Sequence, residues 1–291
     1  MMKLKLGLPK GSLQESTIRM FKKAGFSINI SERSYLPSID DPEIEPMVLR
    51  AQEMSKYVED GAIDCGITGE DWIEENNSSV IRVVDLIYAK QSLVPVRWVL
   101  AVPECSSIRN IGDLKGKRVA TELVNVTKSF LKKNKVSASV EFSWGATEVK
   151  VSAGLVDAVV ELTETGRSLK AHNLKEIATI CRSTTQFIAN KKSFKNVWKK
   201  NKIFQIVTLL KGAIEAENMV GLKMNVRTKD LNKVLKLLPA LRNPTISSLS
   251  KKDWFALETV IDEKIVRNII PKLKEFGAEG IIEYSLNKLI H

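Results

Sequence analysis

The sequence has few of the residues that build disulfide frameworks, zinc sites or histidine-based active sites. In 291 residues it contains three cysteines, Cys65, Cys105 and Cys181, and two histidines, His172 and His291. Cysteines this few and this scattered exclude a disulfide framework and a zinc site, and they favour a reduced compartment. The scarcity of histidine also argues against a Ser-His-Asp or Cys-His catalytic arrangement.

The chain also lacks a long hydrophobic run. No segment approaches the about 18–20 consecutive apolar residues that cross a bilayer. Residues 1–8 carry two lysines and run directly into Pro9, which leaves no room for the apolar centre of a signal peptide. We therefore expect a cytoplasmic protein that neither crosses a membrane nor is exported.

Positive charge, by contrast, is abundant. Lys and Arg number 45 against 34 Asp and Glu, a formal net charge of +11. Such a surplus predicts an anionic partner, for example nucleic acid, an acidic membrane or a phosphorylated small molecule. The lysine-rich run 191–202 contains only Phe194 and Trp198 as aromatic residues, so we interpret it as a solvated face and not as a nucleic-acid site.

The pattern along the first 200 residues predicts two α/β lobes. Alternation in 3–8 indicates a strand, 13–24 and 47–60 fit helices, and 62–69 is a short apolar strand that runs into a glycine loop. Strands and helices that alternate at this spacing favour a mostly parallel sheet.

A second α/β series begins at the β-forming stretch 94–102, and the β-rich stretch 180–189 is typical of a return crossing. We place lobe one at about 1–95 and 184–217, and lobe two at about 96–183. Two lobes joined by two crossings would enclose a cleft, which is a favoured place for a ligand.

Residues 218–291 follow a different pattern. Strand and helix signals occur there in the order βαββαβ, which predicts a ferredoxin-like module. We interpret this module as a small-molecule-sensing or assembly domain.

The most informative motif begins at the end of the predicted strand 158–162. Glu161 near that end is followed by a run of hydroxyl-bearing, acidic, glycine and arginine residues: Thr163, Glu164, Thr165, Gly166, Arg167 and Ser168. Backbone N–H groups and hydroxyls in such a turn suit a phosphate, and a strand-end carboxylate suits sugar hydroxyls or a phosphate-bound metal. An ordinary strand–turn–helix connection is the alternative.

This motif resembles the phosphoribosyl-pyrophosphate loop of long-form ATP phosphoribosyltransferases. Further stretches resemble the same family in the same order: 8–13, 49–53, 60–71, 145–149, 243–246 and 277–282. The similarity therefore extends over nearly the whole chain.

The resemblance implies a fold, a reaction and an assembly. The fold would be a bilobal catalytic region of the type II periplasmic-binding-protein kind over 1–217, with a ferredoxin-like regulatory domain over 218–291. The reaction would transfer the 5-phosphoribosyl group from phosphoribosyl pyrophosphate to the adenine ring of ATP with Mg²⁺, giving phosphoribosyl-ATP and pyrophosphate, the first step of histidine biosynthesis. The implied assembly is a homo-oligomer, from dimer to hexamer, that histidine inhibits.

The resemblance also implies roles for residues of the catalytic region. Lys10 and Arg50 would bind phosphate oxygens, and the loop 163–168 would hold the 5-phosphate. Glu161 and Asp71 would contact ribose or the metal, and Glu148 would orient a substrate hydroxyl or Mg²⁺. Each of these residues also has a purely structural alternative. Lys10 would be a surface lysine, Arg50 would form an ion pair, and the loop 163–168 would be a simple turn. Asp71 would be a helix N-cap, and Glu148 would be an acid in the first turn of a helix.

In the regulatory domain the resemblance implies that Thr245 contacts histidine. Lys223 stands where relatives often carry Asp, Asn or His, and a lysine there would repel the ammonium group of the ligand. A different class of function is a non-catalytic binding protein of the same bilobal shape, or the effector module of a transcription regulator. No export signal and no helix-turn-helix pattern supports that alternative.

Overall fold

The computed structural model describes residues 2–30, 36–88, 94–145, 147–239 and 244–291. The strands in these residues are β1 (Leu4–Lys10), β2 (Ile28–Asn29), β3 (Ser38–Ile39), β4 (Ile44–Arg50), β5 (Cys65–Gly69), β6 (Ile81–Leu86), β7 (Val96–Pro103), β8 (Arg118–Thr121), β9 (Ser139–Phe142), β10 (Ala158–Thr163), β11 (Leu174–Ser183), β12 (Thr185–Ala189), β13 (Met219–Arg227), β14 (Thr245–Ser248), β15 (Trp254–Asp262) and β16 (Glu279–Ser285). The α-helices are α1 (Gln14–Ala24), α2 (Ala51–Glu59), α3 (Glu70–Glu75), α4 (Val124–Lys133), α5 (Thr147–Ser152), α6 (Arg167–Ala171), α7 (Lys191–Lys195), α8 (Val197–Glu215), α9 (Thr228–Leu237) and α10 (Glu263–Glu275). Ala146 and Asn243, which belong to two of the family-like stretches, lie outside the described residues.

The described chain divides into two compact units. The larger unit extends to Val207, and the smaller unit consists of Lys23–Gly25 and Thr208–His291. None of the described helices is long and apolar enough to span a membrane.

The larger unit is built on two five-stranded sheets. The first sheet has the strand order β4-β1-β5-β12-β6, with β1 parallel to both β4 and β5 and with β12 antiparallel to β5 and β6. The second has the order β11-β7-β10-β8-β9. We call each sheet with its packed helices the first lobe and the second lobe.

The chain passes between these lobes twice, after β6 and again between β11 and β12. Thr184 alone separates β11 in the second sheet from β12 in the first. The stretch 180–189, which we interpreted as one return crossing, therefore contains parts of two strands in different sheets.

The helix predicted over 47–60 is wrong at its start. Residues up to Arg50 belong to β4, which pairs with β1 along its whole length, and α2 begins only at Ala51. Burial alternates along β4, as it does in a strand with one covered face. Pairing with β1 therefore overrides the local helical pattern here.

The lysine-rich run is helical and only partly solvated. It forms α7 and the first part of α8. Lys199 pairs with the buried Asp64 at 2.6 Å, and Lys202 pairs with Asp41 at 2.7 Å and Glu43 at 2.6 Å. The interpretation as a wholly solvated face is thus wrong for these two lysines, which attach α8 to the first lobe.

The smaller unit has the predicted βαββαβ order. Its four strands are antiparallel in the order β14-β15-β13-β16, and buried side chains from β13, β15, α9 and α10 form its core. The alternation of β13 explains this packing, because Val220, Leu222, Met224 and Val226 all point to the core face.

Candidate functional site

A cleft of about 640 Å³ lies between the two lobes of the larger unit. The first lobe contributes Lys10, Arg50 and Asp71 to its lining, and the second lobe contributes Glu161 and Glu164. Five of the residues singled out from the sequence are therefore brought to one cavity, although they are spread over more than half of the chain.

The register of two parallel strands places the basic residues of the cleft. Lys10 ends β1, Arg50 ends β4, and the two residues are direct partners across the ladder. Both are exposed, and Arg50 is also the N-cap residue of α2, with extended backbone angles. Side chains at the carboxyl ends of neighbouring parallel strands lie at one edge of the sheet, where α/β proteins bind ligands.

The opposite wall is acidic, and its charges repel one another. Burial, followed by the charges of the nearby carboxylates of Glu148 and Glu122, raises the pKa of Glu161 from 4.5 to about 7. Glu122 lines the cleft, whereas Glu148 does not. Glu148 lies 3.9 Å from His172 through its Oε1 and the ring Nε2. Glu148 therefore acts on Glu161 through its charge.

The loop after β10 has a compact internal geometry. The buried Thr163 accepts a hydrogen bond from the backbone N–H of Gly166 through Oγ1 at 2.8 Å. Gly166 has φ of +77°, a left-handed conformation that favours glycine. Thr165, Arg167 and Ser168 are exposed on the turn that this bond closes.

Asp71 is almost fully buried, and protein donors already occupy both of its carboxylate oxygens. Oδ2 accepts from Trp98 Nε1 at 2.6 Å, and Oδ1 accepts from the Trp72 N–H at 3.0 Å. Burial raises the pKa of Asp71, while these hydrogen bonds and the one to Ser183 oppose the rise. The N-cap alternative is wrong, because the N-cap of α3 is Gly69.

Gly69 must be glycine for a simple steric reason. A Cβ atom at this position would lie 2.0 Å from Asp71 Oδ1. The glycine loop therefore allows the buried carboxylate to fold back over the start of α3.

The donor chemistry of the acidic wall fits a divalent cation that is held mainly by phosphate groups. No cluster of three or more His, Cys, Asp or Glu side chains able to hold a metal exists among the described residues. Mg²⁺ commonly binds through one or two carboxylates together with substrate phosphates. A cation beside Glu161 would favour its charged form, which burial and the neighbouring carboxylates both disfavour.

The two regulatory candidates lie on one face of the sheet in the smaller unit. Thr245 and Lys223 are both cross-strand partners of Glu258, one on each side. Lys223 Nζ lies 3.2 Å from Glu258 Oε1, and the Tyr284 hydroxyl donates to the same oxygen at 2.6 Å. These hydrogen bonds lower the pKa of Glu258, Tyr284 contributing most.

Several cleft residues were not found from the sequence. They are Trp72, Tyr88, Trp98, Glu122, Ser183, Thr184 and Thr185. One signal was available, because a polar Ser-Thr-Thr run interrupts the β-rich stretch at the return crossing. Nothing in the sequence distinguishes the other residues from ordinary packing residues.

Comparison with known families and proteins agrees with this geometry. Residues 50–212 match the family model described as ATP phosphoribosyltransferase, and residues 216–288 match "HisG, C-terminal domain". The ATP phosphoribosyltransferase of Chlorobaculum parvum is 57% identical over 287 residues, 99% of this chain and 97% of that protein. That of Solibacter usitatus is 58% identical over 289 residues, 99% of this chain and all of that protein.

Solved structures extend the comparison to the fold. A chain of the ATP phosphoribosyl transferase (HisG:HisZ) complex from Thermotoga maritima is 30% identical, with a TM-score of 0.62, over 74% of this chain and 100% of that chain. The substrate binding protein of an amino acid ABC transporter is 17% identical, with a TM-score of 0.50, over 73% of this chain and 93% of that chain. The similarity to the transporter protein concerns the bilobal fold alone. Together with the similarity to the Thermotoga maritima chain, it confirms the predicted fold class.

Proposed function

This chain belongs to the ATP phosphoribosyltransferase family, and from that premise we propose how its cleft carries out the reaction. The enzyme transfers the 5-phosphoribosyl group of phosphoribosyl pyrophosphate to the adenine ring of ATP, the first step of histidine biosynthesis. The observation that carries the mechanism is that a basic pair, Lys10 and Arg50, and an acidic group that includes Glu161 line the same cleft from opposite lobes.

The reaction needs positioning more than it needs a protein nucleophile. A ring nitrogen of adenine forms a bond to the anomeric carbon of ribose while the bond from that carbon to pyrophosphate breaks. Positive charge develops on the ribose and negative charge on the leaving group. Alignment of the two substrates and neutralisation of pyrophosphate therefore supply most of the rate.

The basic pair of the first lobe suits the phosphate groups of both substrates. We assign Arg50 to a bidentate contact with phosphate oxygens and Lys10 to a point-charge contact beside it, which the register of β1 and β4 supports. The loop 163–168 would hold the 5-phosphate with its exposed hydroxyls and backbone N–H groups.

The acidic wall suits the ribose and a divalent metal. We assign Glu161 to the ribose hydroxyls or to Mg²⁺, and Glu148 to support of Glu161 through its charge. Both oxygens of Asp71 already accept hydrogen bonds, so Glu161 is the better candidate for the metal. When bound, Mg²⁺ would neutralise the pyrophosphate leaving group.

Regulation and assembly form the second part of the proposal. We assign residues 1–217 to catalysis and 218–291 to histidine sensing, in a cytoplasmic homo-oligomer between a dimer and a hexamer. Histidine would bind on the sheet face that carries Thr245 and Lys223. Glu258 between them already pairs with Lys223, so a ligand ammonium group would compete with Lys223 for this carboxylate.

The catalytic part is tested by following absorbance growth with ATP, phosphoribosyl pyrophosphate and Mg²⁺. We expect turnover only when all three are present, and excess chelator should abolish it. Ligand binding without turnover would instead support the non-catalytic alternative.

The regulatory part is tested with Thr245→Val, which preserves volume and removes the hydroxyl. Loss of one hydrogen bond of about 1–3 kcal/mol should weaken the histidine response about 5- to 150-fold and leave the uninhibited rate unchanged. If the unaltered enzyme ignores histidine, Lys223→Asp should restore inhibition. An unchanged response in both variants would contradict the assignment.

A further inference from the structure

The short helix α3 is anchored in the first lobe. Ile73 is buried in the core of that lobe, against side chains that include Met54 and Ile188. Arg82 on β6 of the same lobe pairs with Glu70 at 2.8 Å and with Glu74. Glu70 and Glu74 are four residues apart and therefore share one side of the helix.

The other side of α3 contacts the second lobe. The Asp71 carboxylate accepts from Trp98 on β7, and the rings of Trp72 and Trp98 meet edge to face with centroids 6.0 Å apart. Glu75, four residues after Asp71, accepts the backbone N–H groups of Asn125 and Val126, each at 3.0 Å. The Asn125 side chain donates back to the Glu75 carbonyl at 2.9 Å.

The contact of Glu75 replaces a missing helix cap. The N-cap residue of α4 is Leu123, which has no side-chain acceptor. An N-cap side chain normally accepts from the second or third N–H of its helix, and Asn125 and Val126 hold those positions in α4. The carboxylate that caps α4 thus comes from the other lobe, and Glu75 is itself buried.

This cross-lobe cap lies close to the acidic wall of the cleft. The chain leaves β8 at Thr121, contributes Glu122 to the cleft and enters α4 at Val124. We propose that Glu75 is a positioning residue that sets the spacing of the two cleft walls by capping α4 of the second lobe from α3 of the first. The inference rests on the proposed function, because that spacing decides whether both substrates can be held at once.

The test compares three variants of the full-length enzyme. Glu75→Ala removes the cap, Glu75→Gln keeps one neutral acceptor, and Glu74→Ala is the matched control because it breaks only the ion pair to Arg82 within the first lobe. Glu75→Ala should raise the apparent KM of both substrates by the same factor of about 10, equivalent to about 1.4 kcal/mol. We expect the kcat of Glu75→Ala to stay within about twofold of the unaltered enzyme. Glu75→Gln should have an intermediate KM, and Glu74→Ala should have an unchanged KM.

Tryptophan emission tests the role of Glu75 without relying on enzyme turnover. In Glu75→Ala, tryptophan emission should shift to longer wavelength as Trp72 and Trp98 gain exposure, and both substrates together should reverse the shift. A lower melting temperature with unchanged KM and unchanged emission would show a merely structural role and overturn the inference. Absence of turnover in the unaltered enzyme would count against the proposed function, while the emission of the variants would still decide the role of Glu75.

Discussion

The cleft wall of the first lobe carries the basic pair Lys10 and Arg50 beside Glu53 and Asp71, whereas the charged residues that the second lobe contributes are Glu122, Glu161 and Glu164. The basic pair is exposed, and strand register places its two residues side by side. The acidic group includes the partly buried Glu161, whose pKa is raised first by burial and then by the charges of its neighbours. The basic pair thus attracts anions directly, whereas the acidic group becomes favourable only when a cation or a sugar hydroxyl reaches it.

The largest effect on activity is expected when Arg50 is lost from the basic pair. Arg50→Ala should lower kcat/KM about 10²- to 10⁴-fold, because two charge-assisted hydrogen bonds of about 1.5–3 kcal/mol each disappear. Arg50→Lys should have a kcat/KM between those of Arg50→Ala and the unaltered enzyme, since lysine keeps the charge but not the bidentate geometry. Arg118→Ala, with the same change in net charge outside the cleft, is the control. Equal loss in both alanine variants would contradict a local role.

A smaller effect, on phosphoribosyl pyrophosphate binding, is expected when the turn at Gly166 in the second lobe is changed. Gly166→Val forces a β-branched residue into a left-handed conformation, although a Cβ there meets no atom within 4 Å. The cost of about 1–2 kcal/mol should weaken phosphoribosyl pyrophosphate binding about 10-fold in calorimetry. Gly116→Val is the matched control, since Gly116 has φ of +72°, equally open surroundings and no place in the cleft. Similar binding in the two variants would contradict the phosphate-loop assignment.

The third and smallest effect is a pH dependence of the free energy of unfolding, which Glu161 in the acidic group should cause. The pKa of Glu161 is about 7 in the folded chain against the ordinary 4.5 of a glutamate, so the folded chain binds this proton more tightly than the unfolded chain. The resulting stabilisation is complete below about pH 4.5 and is lost as the pH rises through about 7, a fall of order 1–3 kcal/mol in the free energy of unfolding.

Urea unfolding between pH 5 and 8 measures this fall. In Glu161→Gln the contribution of this group should vanish, so the variant should lose less stability than the unaltered chain over that range. Glu141→Gln, which changes an exposed acid on β9 outside the cleft, should behave like the unaltered chain. Parallel curves for Glu161→Gln and the unaltered chain would contradict the raised pKa of Glu161.

Local patterns in the sequence account for much of the fold and part of the candidate site. The strand before Lys10, the loop at Gly166 and the βαββαβ order follow from alternation and turn residues. The end of β4 at Arg50 does not, because helical periodicity in 47–60 competes with a strand pairing that only the tertiary structure supplies. Asp71 and Trp98 lie 27 residues apart, and no local pattern brings together residues from different lobes.

The direct passage from β4 into α2 has a consequence for changes in chain length. Arg50 ends the strand and Ala51 begins the helix, with no loop between them to absorb an extra residue. One residue inserted at this junction would turn α2 by about 100° relative to the strand, since a helix has 3.6 residues per turn. Met54 and Val58, now fully buried, would rotate away from the core. Homologous chains and engineered libraries should therefore tolerate insertions and deletions poorly at this junction.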